Sequence, residues 1–411
     1  MFLWPRTARP ARIYRATVAR RPRLVVVVGS LGKTTTKHAV AGALAIPPDR
    51  VPEHNCFGFL AMASLRIRPW ARHAVIEAGI NGPGQMAFYA RMLRPDITVV
   101  TSIASEHRRT LLTAEATRME KSEMVRALRP SGCAVLNGDD PHVMWMRERT
   151  CARITTFGFG AENDVRATDV ALRWPEGMQF RLHARGRSHP VHTKLVGSNF
   201  IYALLAAATV GLEEGYTLDE LIPRLEAIPP VDERMEPVHL PNGAIVLRDD
   251  YKATLESVDA ALDLLEQIPA RRKIVVLGDV DSESDRRANH RRLGGRIGEI
   301  ATQAIFVGGD NQGFAAGAFR TGLAREAMTK AGTDLARAID ALPSDLGPGD
   351  VVLVKGSPRQ RLGRVALALS GRTVRCLLPS CPLAYVRCKD CTMLERDWGA
   401  AEANGNCTRL L

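Results

Sequence analysis

Residues 24–37, LVVVVGSLGKTTTK, decide the fold. Five successive apolar residues, 24–28, have the pattern of a strand buried on both faces of a parallel sheet. Gly29-Ser30-Leu31-Gly32 then supplies a tight turn, and a helix opens near Lys33 with Ala39, Val40, Ala43 and Leu44 as its apolar side. A strand, turn and helix of this kind form a phosphate cradle. Glycines let main-chain N–H groups close on an anion, the helix N-terminus adds partial positive charge, Lys33 reaches the terminal phosphates, and the hydroxyl of Thr34 or Thr35 ligates Mg²⁺. The spacing G-S-x-G-K-T-T is shorter than the usual G-x-x-x-x-G-K-[ST], because position 27 is Val. A glycine turn with a lysine is weak evidence alone; strand, turn, Lys-Thr-Thr and apolar helix together predict nucleotide-phosphate binding, with Gly29, Ser30, Gly32, Lys33, Thr34 and Thr35 as the contacts.

At 411 residues the chain exceeds one ordinary core, and 45% apolar content supports folding throughout. No run approaches eighteen apolar residues, and residues 1–23 are basic without an apolar signal core, so a cytoplasmic protein, not an integral membrane one, is expected. The net charge of +12 comes mainly from arginine. Aromatic content is only 5%, without basic–aromatic interleaving, which argues against nucleic acid as partner. Residues 12–21 (RIYRATVARR) suggest a solvated lead-in helix, with contact to anionic lipid as the alternative.

Beyond the cradle, strand-like and helical stretches alternate, the signature of a parallel sheet covered by helices. Strands are expected at 73–78, 97–103 and 133–137, and an amphipathic helix at 113–128. Residues 151–196 are β-rich and predict a small sheet finishing the domain; a helix follows from 199. Pro229-Pro230 marks a rigid connection. The second half repeats the alternation, with strands at 244–247, 273–277, 304–307 and 351–354 and helices near 255–267, 288–302 and 332–341. The expected class is α/β: a basic lead-in (1–23), a P-loop central domain with a parallel sheet (24–230), a smaller Rossmann-like α/β domain (231–372) and a Cys-rich tail (373–411).

The order of these elements resembles the Mur ligase family, nearest its D-alanyl-D-alanine-adding branch, over about residues 24–370. The family's G-[ST]-x-G-K-T-T turn is matched by 29–35, and its E-x-G-x-N turn by Glu77-Ala78-Gly79-Ile80-Asn81. A histidine followed fourteen positions later by a lysine is matched by His107 and Lys121, with Glu123 completing the K-x-E pattern. The resemblance implies Mg²⁺ held by Thr34, Glu77, His107 and a carbamylated Lys121, with Lys33, Glu77, His107 and Lys121 catalytic. In the second half, 232–236 (DERME) resembles G-R-M-E, implying Arg234 near phosphate, with Glu233 in the glycine's place. Residues 249–254 (DDYKAT) resemble D-[DS]-Y-N-A-N, implying Asp249 and Asp250 near ribose, with Lys252 and Thr254 replacing asparagines. Asn199 alone survives from the family's adenine pair. Gly278-Asp279, His290 and 350–357 (DVVLVKGS) also match, and Asn81, Lys355, Gly356 and Ser357 are the expected substrate contacts.

The implied activity is an ATP-dependent carboxylate–amine ligase working through an acyl phosphate. A nucleotide-binding switch or a basic nucleic-acid ATPase is the alternative, but a switch has no use for the His107–Lys121 spacing. With few residues ahead of the first strand, a small or carrier-linked carboxylic acid is expected as substrate instead of a soluble UDP-muramyl peptide. The tail offers Cys376-x4-Cys381-x6-Cys388-x2-Cys391, and the last pair has the spacing of a metal knuckle, so a structural zinc is expected there, with free or redox-active thiols as the alternative.

Overall fold

The computed structural model describes residues 4–104, 113–281, 285–383 and 386–396. The chain divides into two compact units, Met1–Pro229 and Pro230–Leu411.

In the first unit, α1 (Trp4–Thr17) leads into β1 (Arg23–Val28), α2 (Lys33–Ala43), α3 (Phe57–Leu65), β2 (His73–Glu77), α4 (Gln85–Leu93), β3 (Ile97–Val100), α5 (Ala114–Arg126) and β4 (Cys133–Asn137). Next come β5 (Arg153–Gly158), β6 (Val165–Arg173), β7 (Gly177–Ala184), β8 (Arg187–Thr193), α6 (Ile201–Glu213) and α7 (Leu218–Glu226). One eight-stranded sheet runs β2-β1-β3-β4-β5-β6-β7-β8. Its first six members are parallel, and β6, β7 and β8 form an antiparallel meander. The β-rich stretch 151–196 is therefore not a separate sheet: β5 continues the parallel ladder from β4, and β6 joins it through Phe157–Val165 and Gly158–Arg166.

The valines of β1 explain why this strand is central. Val25 and Val27 enter a core made with α2, α6 and the meander, while Leu24, Val26 and Val28 enter a second core beneath α1, α3 and α4. Each fully buried side chain contributes about 1.5–3 kcal/mol. The lead-in is not merely solvated: Ala8, Ala11, Arg15 and Ala19 recur at helical spacing and are buried. Arg15 donates to the Leu93 carbonyl and pairs with Asp96 at 2.7 Å.

The second unit contains β9 (Glu236–His239), β10 (Ile245–Asp249), α8 (Leu255–Gln267), β11 (Arg272–Leu277), α9 (Arg286–Ile300), β12 (Gln303–Val307), α10 (Gln312–Arg320), β13 (Met328–Gly332), α11 (Leu335–Asp340), β14 (Asp350–Lys355) and α12 (Gly363–Leu369). The sheet order is β13-β12-β11-β14-β10-β9, parallel except for β9. Thr254, in an expected asparagine position, is the N-cap of α8: its hydroxyl accepts from Ser257 N–H, a cap worth about 1 kcal/mol.

The tail folds onto this unit, and an arginine arranges it. Arg364, 1% exposed, donates to the carbonyls of Gln360, Arg361, Cys376 and Leu378, and Arg361 donates to Leu383. Leu394 is buried and its carbonyl accepts from Arg375 and Cys376 N–H. Arg387 and Lys389 both pair with Asp232. The thiols of Cys376, Cys381, Cys388 and Cys391 are free, and among the described residues no group of three or more His, Cys, Asp or Glu side chains is placed to hold a metal ion. Guanidinium–carbonyl bonds from Arg361 and Arg364 order the segment. Burial and neighbouring thiols push Cys388 up to about 12. Cys407 lies outside the described residues.

Candidate active site

The cradle forms where β1 ends. Gly29 has φ of 146°, and a Cβ there would lie 1.9 Å from Thr101 Oγ1, so both conformation and space require glycine. Gly32 is left-handed (φ 77°) and caps α2. The loop is braced from β3: Ser30 N–H donates to Ser102 O at 2.7 Å, Leu31 N–H to Ser102 Oγ at 3.1 Å, and Thr101 Oγ1 to Leu31 O at 2.6 Å. This bracing explains why the strand expected over 97–103 stops at Val100.

Four charged side chains converge here. Lys33 Nζ donates to the carbonyls of Gly29 (2.7 Å) and Ser30 (2.9 Å). Thr34 Oγ1 donates to Glu77 Oε2 at 3.0 Å, and Glu77, at the end of β2 and 2% exposed, also accepts from Asn55 Nδ2 at 2.7 Å. Lys121, on α5 and 1% exposed, donates to Ser30 Oγ at 3.0 Å. Lys37, one helical turn after Lys33, lies 3.8 Å from Glu77 and donates to Pro52 O. The structure thus brings together Gly29, Ser30, Gly32, Lys33, Thr34, Glu77 and Lys121. Thr35 is buried in α2, and Asn81 is exposed on the turn after β2, its N–H donating to Gln85. His107 lies outside the described residues.

Sequence reasoning missed Lys37 and Asn55. A second lysine at i+4 from Lys33 on the otherwise apolar face of α2 was the available signal for the first; Asn55 carries none. Farther along the same strand ends, Asp139 accepts from Phe159 and Gly160 N–H, Asn163 Nδ2 and Tyr202 OH. Burial opposes its charge, but these donors hold the carboxyl below the usual carboxylate range. Asn199 is exposed one turn before Tyr202.

In the second unit the expected residues meet at the ends of β10 and β14, where Asp249 is in register with Lys355. Lys355, 1% exposed, donates to Asp249 Oδ2 at 2.5 Å and to Lys252 O at 2.6 Å; burial lowers its pKa. The ammonium expected to meet a substrate anion therefore points inward. Arg248 lies 3.3–3.4 Å from Asp250, Glu233 and Glu236. Burial pushes Asp250 up to about 6 despite that arginine. Glu233 adopts φ of 63°, a left-handed conformation that glycine takes up without strain. Arg234 stacks on Tyr251, 4.3 Å from the ring centre. Gly356 packs under Leu362, and Ser357 hydrogen-bonds Gln360 at 3.4 Å.

A phosphate cradle at the head of a parallel sheet, with a buried acid, a hydroxyl and three lysines around it and a second α/β unit following, defines a class of nucleotide-using α/β enzymes. Residues 27–211 match the Mur ligase middle domain, and residues 233–358 the Mur ligase glutamate ligase domain. The UDP-N-acetylmuramoyl-tripeptide–D-alanyl-D-alanine ligase of Mycobacterium tuberculosis (strain ATCC 25618 / H37Rv) is 31% identical over 371 residues, covering 84% of this chain and 72% of the relative. The ligase of that name from Bacillus subtilis (strain 168) is 25% identical, covering 84% and 75%. Among solved structures, MurF from Acinetobacter baumannii superposes with TM-score 0.77 at 23% identity over 89% of this chain and 80% of its own. MurF ligase from Thermotoga maritima in complex with ADP gives 0.77 at 21%, over 89% and 83%. The chain belongs to the Mur ligase family, and it is an ATP-dependent ligase that forms amide bonds.

Proposed function

We propose that the protein joins the amino group of a small dipeptide of the D-alanyl-D-alanine kind to a peptide-borne carboxylate, with Lys33, Glu77 and Lys121 as its working side chains. The observation carrying this reading is the convergence of Lys33, Thr34, Glu77 and Lys121 on Ser30 and its neighbours at the end of β1. The names of the relatives support the substrate class.

In the first step an oxygen of the substrate carboxylate bonds to the γ-phosphorus of ATP, the bond to the β,γ-bridging oxygen breaks, and ADP leaves. The main-chain N–H groups of the cradle and Lys33 hold the oxygens that gain charge. In the second, the amine attacks the acyl phosphate, inorganic phosphate leaves, and the nitrogen loses a proton. Thr34 and Glu77 offer hard oxygen donors suited to Mg²⁺, and a Lys121 carbamate adds another. The ion, when bound, neutralises phosphate charge. Forming that carbamate joins the neutral Lys121 nitrogen to carbon dioxide with loss of a proton; burial beside Ser30 shelters the product from hydrolysis.

Hydroxylamine added with ATP and candidate acids should trap an acyl hydroxamate, faster with a carrier-linked muramyl tripeptide than with the soluble UDP-linked one; the reverse order would overturn the expectation drawn from the short lead-in. Lys121→Ala should abolish most of this signal and regain part of it with added short carboxylates. Full activity of Lys121→Ala without additives removes Lys121 from the site; ATP turnover stimulated by RNA, with no hydroxamate from any acid, overturns the ligase mechanism here.

A further inference from the structure

The surplus of positive charge is segregated. Residues 1–76 hold thirteen lysines and arginines against two acids, Asp49 and Glu53, so nearly the whole of the +12 sits there. The candidate active site takes only Lys33 and Lys37 of that set.

The topology gathers much of the remainder. Because β1, β2 and β3 are parallel, the segments that precede them emerge at one edge of the sheet. Exposed Arg20 and Arg21 precede β1; Arg66, Arg68 and Arg72 precede β2; Arg94 precedes β3. Tyr14 OH bonds to Ile67 O at 2.8 Å, which ties the β2 approach to α1. Asp96 and Glu214 reach this edge and are each taken up by partners, Asp96 by Arg15 and Arg129, Glu214 by Arg23 and the His73 ring.

Apolar side chains stand among these arginines. Trp70 is 78% exposed, Ile13 53% and Val18 52%. A tryptophan and two aliphatic chains set among arginines suit the boundary between headgroups and acyl chains, where indole rings settle and guanidinium groups meet lipid phosphates. Nucleic acid is the poorer fit, because base stacking calls for several aromatic faces and aliphatic side chains offer none.

We propose that this edge of the first unit docks on an anionic lipid bilayer, with Trp70, Ile13 and Val18 entering the interface and Arg20, Arg21, Arg66 and Arg68 meeting the headgroups. The cradle lies at the opposite end of β1, so docking leaves the nucleotide mouth open to water. Among the described residues no helix is long and apolar enough to cross a membrane, so the attachment is peripheral and sensitive to salt.

The full chain should sediment with phosphatidylcholine vesicles containing phosphatidylglycerol, not with phosphatidylcholine alone, and should release at high salt. Brominated acyl chains should quench its fluorescence, and Trp70→Phe should remove that quenching. The triple variant R66E/R68E/W70S should bind vesicles more weakly by on the order of tenfold or more, while its ATP-dependent hydroxamate formation, which also reports an intact fold, stays unchanged. Arg68→Lys should retain binding. Equal binding to neutral vesicles, no quenching through Trp70, or displacement of vesicles by RNA through these same arginines would overturn the proposal, the last by assigning the surface to nucleic acid.

Discussion

Both units place lysines at the ends of parallel strands, yet they use them oppositely. In the first unit Lys33 is held by two main-chain carbonyls of its own loop, an arrangement that keeps the ammonium at the anion site without a carboxylate on either of those bonds. In the second, Lys355 is buried against Asp249, and Arg248 is shared among three acids. The difference teaches that a lysine tied to the carbonyls of its own loop is kept at the anion site, whereas one buried against an acid holds the sheet end in shape.

Substituting the two lysines should separate these roles most sharply. Lys33→Ala should lower ATP-dependent hydroxamate formation by about 10²–10³-fold with unfolding unchanged. Lys355→Ala strands Asp249 as a buried anion and should cost about 3–5 kcal/mol, read from urea unfolding, and K355A/D249A should recover much of it. A Lys355→Ala protein of parental stability would break the comparison.

A middling effect concerns pH. Asp250 is held near 6, above the ordinary 3.8, so the folded state binds its proton more tightly. The stability it contributes is full below pH 3.8 and lost as pH rises through about 6. Relative to Asp250→Asn, the parent should therefore weaken across that interval; parallel unfolding curves at each pH would show the carboxyl titrating normally. The smallest effect is expected at Glu233. Glycine there relieves about 1 kcal/mol of left-handed strain, and Arg248 keeps Glu236 and Asp250 as partners, so E233G should change stability less than Lys355→Ala does.

Much of the first unit was legible because its evidence is local. An apolar run, two glycines and Lys-Thr-Thr lie within fourteen residues and specify strand, turn and helix. What escaped reading depends on chain neighbours far apart in sequence. Asn55 matters only because it donates to Glu77, and Arg248 only because Glu233, Glu236 and Asp250 surround it. The edge strands β9 (EPVH) and β13 (MTKAG) lack an apolar run, since an outer position asks for little burial. Four cysteines drew attention to metal in the tail, and the contacts of Arg364 with it went unread, because nothing in the local sequence announces the burial of an arginine.

That arginine sets an order of events during synthesis. Two of its four carbonyl acceptors, on Gln360 and Arg361, leave the ribosome before it, and the other two, on Cys376 and Leu378, come after. Until residue 378 has emerged, the second unit carries a guanidinium that has lost water on one side without gaining partners on the other. Its sheet, complete at Lys355, must wait on the last part of the chain, so premature termination near Arg372 should yield a nascent product that proteases clear despite an intact cradle.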